Sequence, residues 1–223
     1  MAMSVAFVTQ YSFWPSHDHL TLASKVTTRQ IAIMSTARSL AAYDQAQRHL
    51  EAGRFAEAFA LCQEALKSGE FEPGGYFQMG VALLKLGHFE DCLVAFKAAL
   101  RIDPRDSNAI HNMGIALHRL GKLVEAAHQH RQAIVMDPGH PSAHSALGAV
   151  LCDMHLYNQA IEECRIAINV APENYQAHYN LGNALRAVGN LNAARDAYLA
   201  AQKLMPDNPQ LRERIDSLVQ ELH

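Results

Sequence analysis

Residues 107–140 read SNAIHNMGIALHRLGKLVEAAHQHRQAIVMDPGH, and this stretch decides the fold. Its first half places Ile110, Met113, Leu117 and Leu120 three and four residues apart, which is one face of an α-helix. Gly121-Lys122 then interrupts the pattern as a short turn. A second amphipathic run carries Ala126, Ala127, Ala133, Ile134 and Met136 on its apolar side. Asp137-Pro138-Gly139 ends it, because proline has no amide hydrogen to donate and disfavours helical geometry in the residue before it. The stretch is a helix, a turn, a helix and a stop.

The block recurs. Gly80, Gly114, Gly148 and Gly182 stand at equal spacing, as do Ala99, Ala133, Ala167 and Ala201, and Pro104, Pro138, Pro172 and Pro206. The chain divides into blocks 39–72, 73–106, 107–140, 141–174 and 175–208. A period of this length marks a stacked array of helix pairs, each burying its apolar face against the next. A mid-helix glycine costs about 1 kcal/mol relative to alanine, a cost that close helix approach can offset. The reading pairs Gly114 with Ala126, Gly148 with Ala160, Gly182 with Ala194 and Gly80 with Cys92, so that the helices of a pair touch nearly backbone to backbone.

Block two carries Tyr76, Met79, Gly80, Leu83, Cys92, Phe96, Ala99 and Pro104. Block five carries His178, Leu181, Gly182, Leu185, Ala194, Tyr198, Ala201 and Pro206. This pattern resembles the tetratricopeptide-repeat family, over residues 39–208. Block one is degenerate, with Ala46, His49 and Glu70 at the glycine, apolar and proline places, although Gly53, Ala58 and Ala65 remain. The resemblance implies an all-α, right-handed superhelical solenoid of five helix-turn-helix repeats. Residues 209–223 then form a closing helix, with Asn208 as its N-cap, Pro209 at its first position and Leu211, Ile215, Leu218 and Leu222 as an apolar stripe.

The resemblance also implies a concave groove lined by the first helix of each pair, which holds an extended peptide or a partner's helix. By register, block two offers Phe77, Gln78 and Lys85 to it, and block three offers Asn108, His111, Asn112, Ile115, His118 and Arg119. Block four offers Ser142, Ser145, Ala146, Ala149, Cys152 and Asp153, and block five offers Gln176, Tyr179, Asn180, Asn183 and Arg186. Asparagine donates to and accepts from a peptide backbone at once, so Asn112 and Asn180 are candidates to hold an extended chain. Lys85, Arg119 and Arg186 favour an acidic partner. Chaperone-binding members of the family grip a terminal carboxylate with a lysine, asparagine and arginine clamp. The corresponding positions here include Tyr43, Gln47, Gln78, Asn108 and Asn112, without a cation. An asparagine ladder of the kind seen in O-linked N-acetylglucosamine transferases would read Asp44, Gln78, Asn112, Ala146, Asn180, which is broken.

Composition narrows the classes. Apolar residues make up 49%, enough for a continuous core, and the formal net charge of −3 argues against a nucleic-acid surface. No apolar run reaches the roughly 18–20 residues of a membrane helix. Catalytic motifs are missing: there is no GxSxG, phosphate loop or GxGxxG, so neither catalysis nor a cofactor is expected. Thirteen histidines occur without HExxH or a carboxylate at ligand spacing, so no metal site is expected. His144 and His178 fall at bulky packing positions, and His128 and His130 point in different directions. Cys62, Cys92 and Cys164 occupy core positions, and free thiols suit a reducing compartment, the cytoplasm. Cys152 and Cys164 lie on the two helices of one block, where a regulatory disulfide is the alternative to two packed thiols.

Residues 1–38 do not join the period and hold Tyr11-Ser12-Phe13-Trp14-Pro15. They read as a disordered or loosely docked extension, with Met34 an internal start and an aromatic anchor in the groove as the rival reading. The functional expectation is a non-catalytic scaffold or adaptor binding a protein segment in its groove. One alternative is a substrate-recognition subunit serving a transferase or assembly machine in trans. Another is a self-associating array with Leu211, Leu218 and the amino-terminal aromatics as contacts.

Overall fold

A computed structural model describes residues 40–67 and 73–221. The expectations for the amino-terminal extension, including its aromatic anchor, lie outside the described residues. The chain is an all-α solenoid. Helix α1 is described over residues 40–51. It is followed by α2 (Phe55–Lys67), α3 (Pro73–Leu86), α4 (Phe89–Ile102), α5 (Ser107–Arg119), α6 (Leu123–Met136), α7 (Pro141–Asp153), α8 (Tyr157–Val170), α9 (Tyr175–Ala187), α10 (Leu191–Leu204) and α11 (Pro209–Glu221). Each odd helix packs on the even helix that follows it, and each pair packs on the next. Odd helices also touch across repeats, α7 and α9 most extensively, so they share one face of the stack.

The turn inside each pair has one geometry. At the end of α3, Gly87 donates to the Leu84 carbonyl (3.2 Å) and His88 to that of Leu83 (2.9 Å). This Schellman arrangement satisfies the last carbonyls of the helix and needs a left-handed residue after it. Gly53, Gly87, Gly121 and Gly189 supply that residue with φ between 72° and 83°. In the fourth repeat the slot is held by His155 at φ 61°, a residue that the sequence reading passed over. The helix starts are equally regular. Asp106, Asn174 and Asn208 each accept an amide of the helix they precede. His140 does the same through Nδ1 for Ala143 (3.3 Å).

The mid-helix glycines pack differently from the expectation. A Cβ at Gly80 would lie 2.6 Å from the Phe96 ring, at Gly114 2.6 Å from the His130 ring, at Gly182 2.5 Å from the Tyr198 ring, and at Gly148 2.5 Å from Cys164 Sγ. The partner is therefore the side chain one turn beyond Cys92, Ala126, Ala160 and Ala194. Those four are fully buried but are not what the glycine accommodates; only in the fourth repeat does the Ala160 carbonyl come near, at 3.3 Å. Glycine is needed because a ring of the opposite helix, or in the fourth repeat the Cys164 thiol, sits against it, and a methyl there would meet it inside van der Waals contact.

Helix α11 seals the end of the stack. Leu211 and Leu218 are 1% and 0% exposed and join the core cluster of Leu185, Ala197, Tyr198 and Ala201. The expectation that these leucines serve self-association is thus corrected: they are used inside the molecule. No described helix is long and apolar enough to cross a membrane.

Candidate groove on the odd helices

The shared face of the odd helices carries two contiguous depressions. One, of about 560 Å³, lies between α5 and α7 and reaches α9; it is lined by Ile115, Arg119, Ser142, Ala146 and Gln176 among others, with the imidazoles of His111 and His130 within it. The other, of about 570 Å³, runs from α7 over α9 to α11 and includes Cys152, Asn183, Arg186, Arg214 and Glu221. Ala149, Asp153 and Asn180 belong to both. Small side chains on α7 make the floor, so the groove is open where repeat four would otherwise fill it.

The polar groups of this face form a ladder across repeats. His118 Nε2 lies 2.6 Å from Asp153 Oδ2. Asn180 Nδ2 donates to the carbonyl (3.0 Å) and the hydroxyl (3.3 Å) of Ser145. Arg186 binds Glu221 through Nε (3.2 Å) and Nη2, and Nη2 also donates to Ser217 Oγ (3.2 Å). His118 with Asp153, Ser145 with Asn180 and Arg186 with Glu221 are each one place more than a full repeat apart. Stacking offsets successive odd helices by that one position.

The expected groove residues divide accordingly. His111, Arg119, Asn180, Asn183 and Arg186 line the depressions, whereas Phe77, Gln78, Lys85, Asn108, Asn112 and Tyr179 do not. Phe77 and Tyr179 are half-buried and pack on the rings of Phe96 and Tyr198, each at 5.9 Å between centroids. Gln78 Oε1 accepts from Cys62 Sγ (3.9 Å). The amide of Asn112 donates to the Asn108 carbonyl in its own helix (2.9 Å). Asn183 Oδ1 accepts from the Tyr198 hydroxyl (2.8 Å), whose phenol burial pushes up to about 12. Lys85 and Arg119 are exposed, and among the described residues neither has a carboxylate within ion-pair distance.

Histidine is where sequence reasoning fell short. Carboxylate pairs do form, between His118 and Asp153 and between His144 and Glu163 (2.7 Å), because residues on neighbouring helices meet whatever their spacing in the chain. His144 is wedged between helices as expected, with Nε2 at 3.2 Å from the Pro138 carbonyl, and His178 Nε2 is 2.9 Å from that of Pro172. His130 was missed. It is fully buried, on the same repeat position as Phe96 and Tyr198, and that shared position was the available signal. Among the described residues no group of three histidine, cysteine or acidic side chains converges as metal ligands. All four cysteines are free thiols. Burial pushes Cys62 up to about 12 and Cys92 and Cys152 to about 11, and raises Cys164 as well, so none is a ready nucleophile at neutral pH.

Comparison with known proteins agrees with this geometry. Three tetratricopeptide-repeat models match, over residues 73–106, 95–129 and 145–209. No curated protein sequence matches. Among solved structures, a thermophilic TPR protein of Thermus thermophilus is 20% identical, with 82% of this chain and 99% of that chain covered and a TM-score of 0.70. MamA from Desulfovibrio magneticus RS-1, from residue 41 to its end, is 21% identical over 77% of this chain and 97% of that one, with a TM-score of 0.64. The first TPR of Spaghetti, bound to the HSP90 peptide SRMEEVD, is 20% identical over 52% of this chain and 92% of that one, with a TM-score of 0.51. At these identities the likeness concerns the fold.

Proposed function

This chain belongs to the tetratricopeptide-repeat family, and on that premise we propose that it is a non-catalytic scaffold that holds an extended protein segment along the face of its odd helices. The observation that carries the reading is the pair of contiguous depressions from α5 to α11, floored by Ala146 and Ala149 and flanked by Asn180 and Asn183. A groove of this length suits a chain of several residues, not a small substrate. Its polar groups bind and orient the segment.

The partner segment is acidic in this proposal, because Lys85 and Arg119 present exposed cations that have no carboxylate partner among the described residues. The Spaghetti repeat carries an acidic peptide, but the clamp positions of this chain hold Tyr43, Gln47, Gln78, Asn108 and Asn112, so an identical grip on a terminal carboxylate is not proposed. Four thiols kept free and largely buried fit work in a reducing compartment such as the cytoplasm.

Hydrogen exchange of the full chain, with and without the partner recovered by affinity capture, tests the reading. Protection is expected on α3, α5, α7 and α9. Protection confined to α4, α6, α8 and α10 would overturn it.

A further inference from the structure

Repeat three fills its interior with histidine where its sisters do not. His111, His130 and His140 are 8%, 0% and 8% exposed. The His111 ring lies 5.1 Å from that of His130 and 5.0 Å from that of His140, centroid to centroid. At the places of His111 and His130, repeat two has Phe77 and Phe96 and repeat five has Tyr179 and Tyr198, which form the same ring pair. At the place of His140 the other described helix starts have Asp106, Asn174 and Asn208. One seam of the array, between α5, α6 and the start of α7, is therefore built from imidazoles, groups whose ordinary pKa lies near neutrality.

The bonding of the cluster requires uncharged rings. His111 Nδ1 and His130 Nδ1 are 3.3 Å apart, so one donates and the other accepts. His140 Nδ1 accepts the Ala143 amide and caps α7. A doubly protonated imidazole has only donors, so charging His140 removes the cap, and charging both His111 and His130 breaks their bond. The remaining nitrogens give no relief, since Nε2 of His130 and of His140 are buried without a partner.

The charged neighbours compensate only in part: Asp137 and Asp106 favour a charge on His140, but burial outweighs them. Asp106 faces His140, but its Oδ1 is engaged by the Asn108 and Ala109 amides, and Asp137 Oδ1 is engaged by Gly139. His118 faces His130 and His144 faces His140, and each works against a charge on the ring it faces, while Asp153 and Glu163 are already paired with His118 and His144.

We infer that the junction of α5, α6 and the start of α7 is an acid-labile joint: mild acidification charges the His111–His130–His140 cluster and loosens these three helices from one another, while the flanking seams stay closed. Burial pulls His111 down from 6.5 to about 4 and His130 to about 3, the other imidazoles adding to the effect, and His140 is lowered too. The folded chain thus refuses protons that the unfolded chain accepts from 6.5 downward. Stability is complete above that value and is lost as the pH falls toward 4. Each of His111 and His130 lowers the folded-to-unfolded ratio about tenfold per pH unit across that window. Because both imidazoles also belong to the depression between α5 and α7, a partner held there is released in acid; that consequence rests on the groove reading, whereas the loss of stability does not.

Urea unfolding of the full chain followed by circular dichroism between pH 7.5 and 5, with hydrogen exchange at both ends, tests the joint. The comparison is His111→Phe with His130→Phe, the ring pair that repeat two already uses. The wild-type midpoint is expected to fall steeply below pH 6.5, with exchange rising first in α5–α7, and the double variant is expected to lose most of that slope. Parallel pH profiles for the two proteins, or exchange rising equally in every repeat, would overturn the inference. Should the variant not fold, ring resonances of the wild type decide: titration of His111 and His130 near 6.5 in the folded state refutes the joint, and charging only together with loss of α5–α7 protection supports it.

Discussion

The two ends of the odd-helix face are made from the same repeat and use their polar groups in opposite ways. At the α9–α11 end, Asn180 is bound to Ser145, Asn183 to Tyr198, and Arg186 to Glu221 and Ser217. At the α3–α5 end, Asn112 bonds only within its own helix among the described contacts, and Lys85 and Arg119 face solvent without a carboxylate. The cause is the one-place offset between successive odd helices. The offset sets Arg186 against Glu221 and His118 against Asp153, but the same step from Arg119 reaches Met154, which has nothing to offer a guanidinium. The same geometry therefore ties repeats together at one end and leaves cations exposed at the other.

Arg186→Ala probes the tied end. It is expected to cost about 1 kcal/mol, the scale of a partly exposed charge-assisted pair, and to raise hydrogen exchange in α11 while partner affinity stays within about twofold. A large loss of affinity with unchanged stability would move Arg186 into the binding surface and break the comparison. Chemical denaturation alongside a binding isotherm separates the two.

A smaller effect concerns the turns. The left-handed slot holds glycine in four repeats and His155 in the fourth, where the side chain meets the Tyr157 hydroxyl (2.7 Å). A non-glycine residue in that region costs roughly 1–2 kcal/mol, offset in part by this exposed hydrogen bond and by the greater freedom of glycine in the unfolded chain. His155→Gly is expected to stabilise the protein by about 0.5 kcal/mol, read as a rise of roughly 1–2 °C in Tm. A fall would mean that the His155–Tyr157 contact outweighs the backbone strain.

These contrasts also mark what can be read from a repeat sequence. The helix pairs, the Asn208 cap and the apolar stripe of the closing helix follow from periodicity and local chemistry, which act within a few residues. The groove face follows from register along one helix. What escaped is set between helices. Gly114 looked matched to Ala126 because both are small, but packing placed His130 over it. The His118–Asp153 and His144–Glu163 pairs depend on how helices are offset and stacked, which no spacing rule within one helix contains. Leu211 and Leu218 could also be read as self-association contacts because their cover, the Leu185 and Tyr198 layer, belongs to the preceding repeat.

The central claim is that a partner binds on the odd helices and is drawn to the unpaired cations at the α3–α5 end. Its most direct test is the affinity of the captured partner for three proteins: wild type, Lys85→Glu with Arg119→Glu, and Val94→Glu with Val135→Glu. The two valines are 68% and 72% exposed on even helices. The account predicts at least a tenfold loss for the Lys85 and Arg119 pair and no change for the valine pair; the reverse order would contradict it.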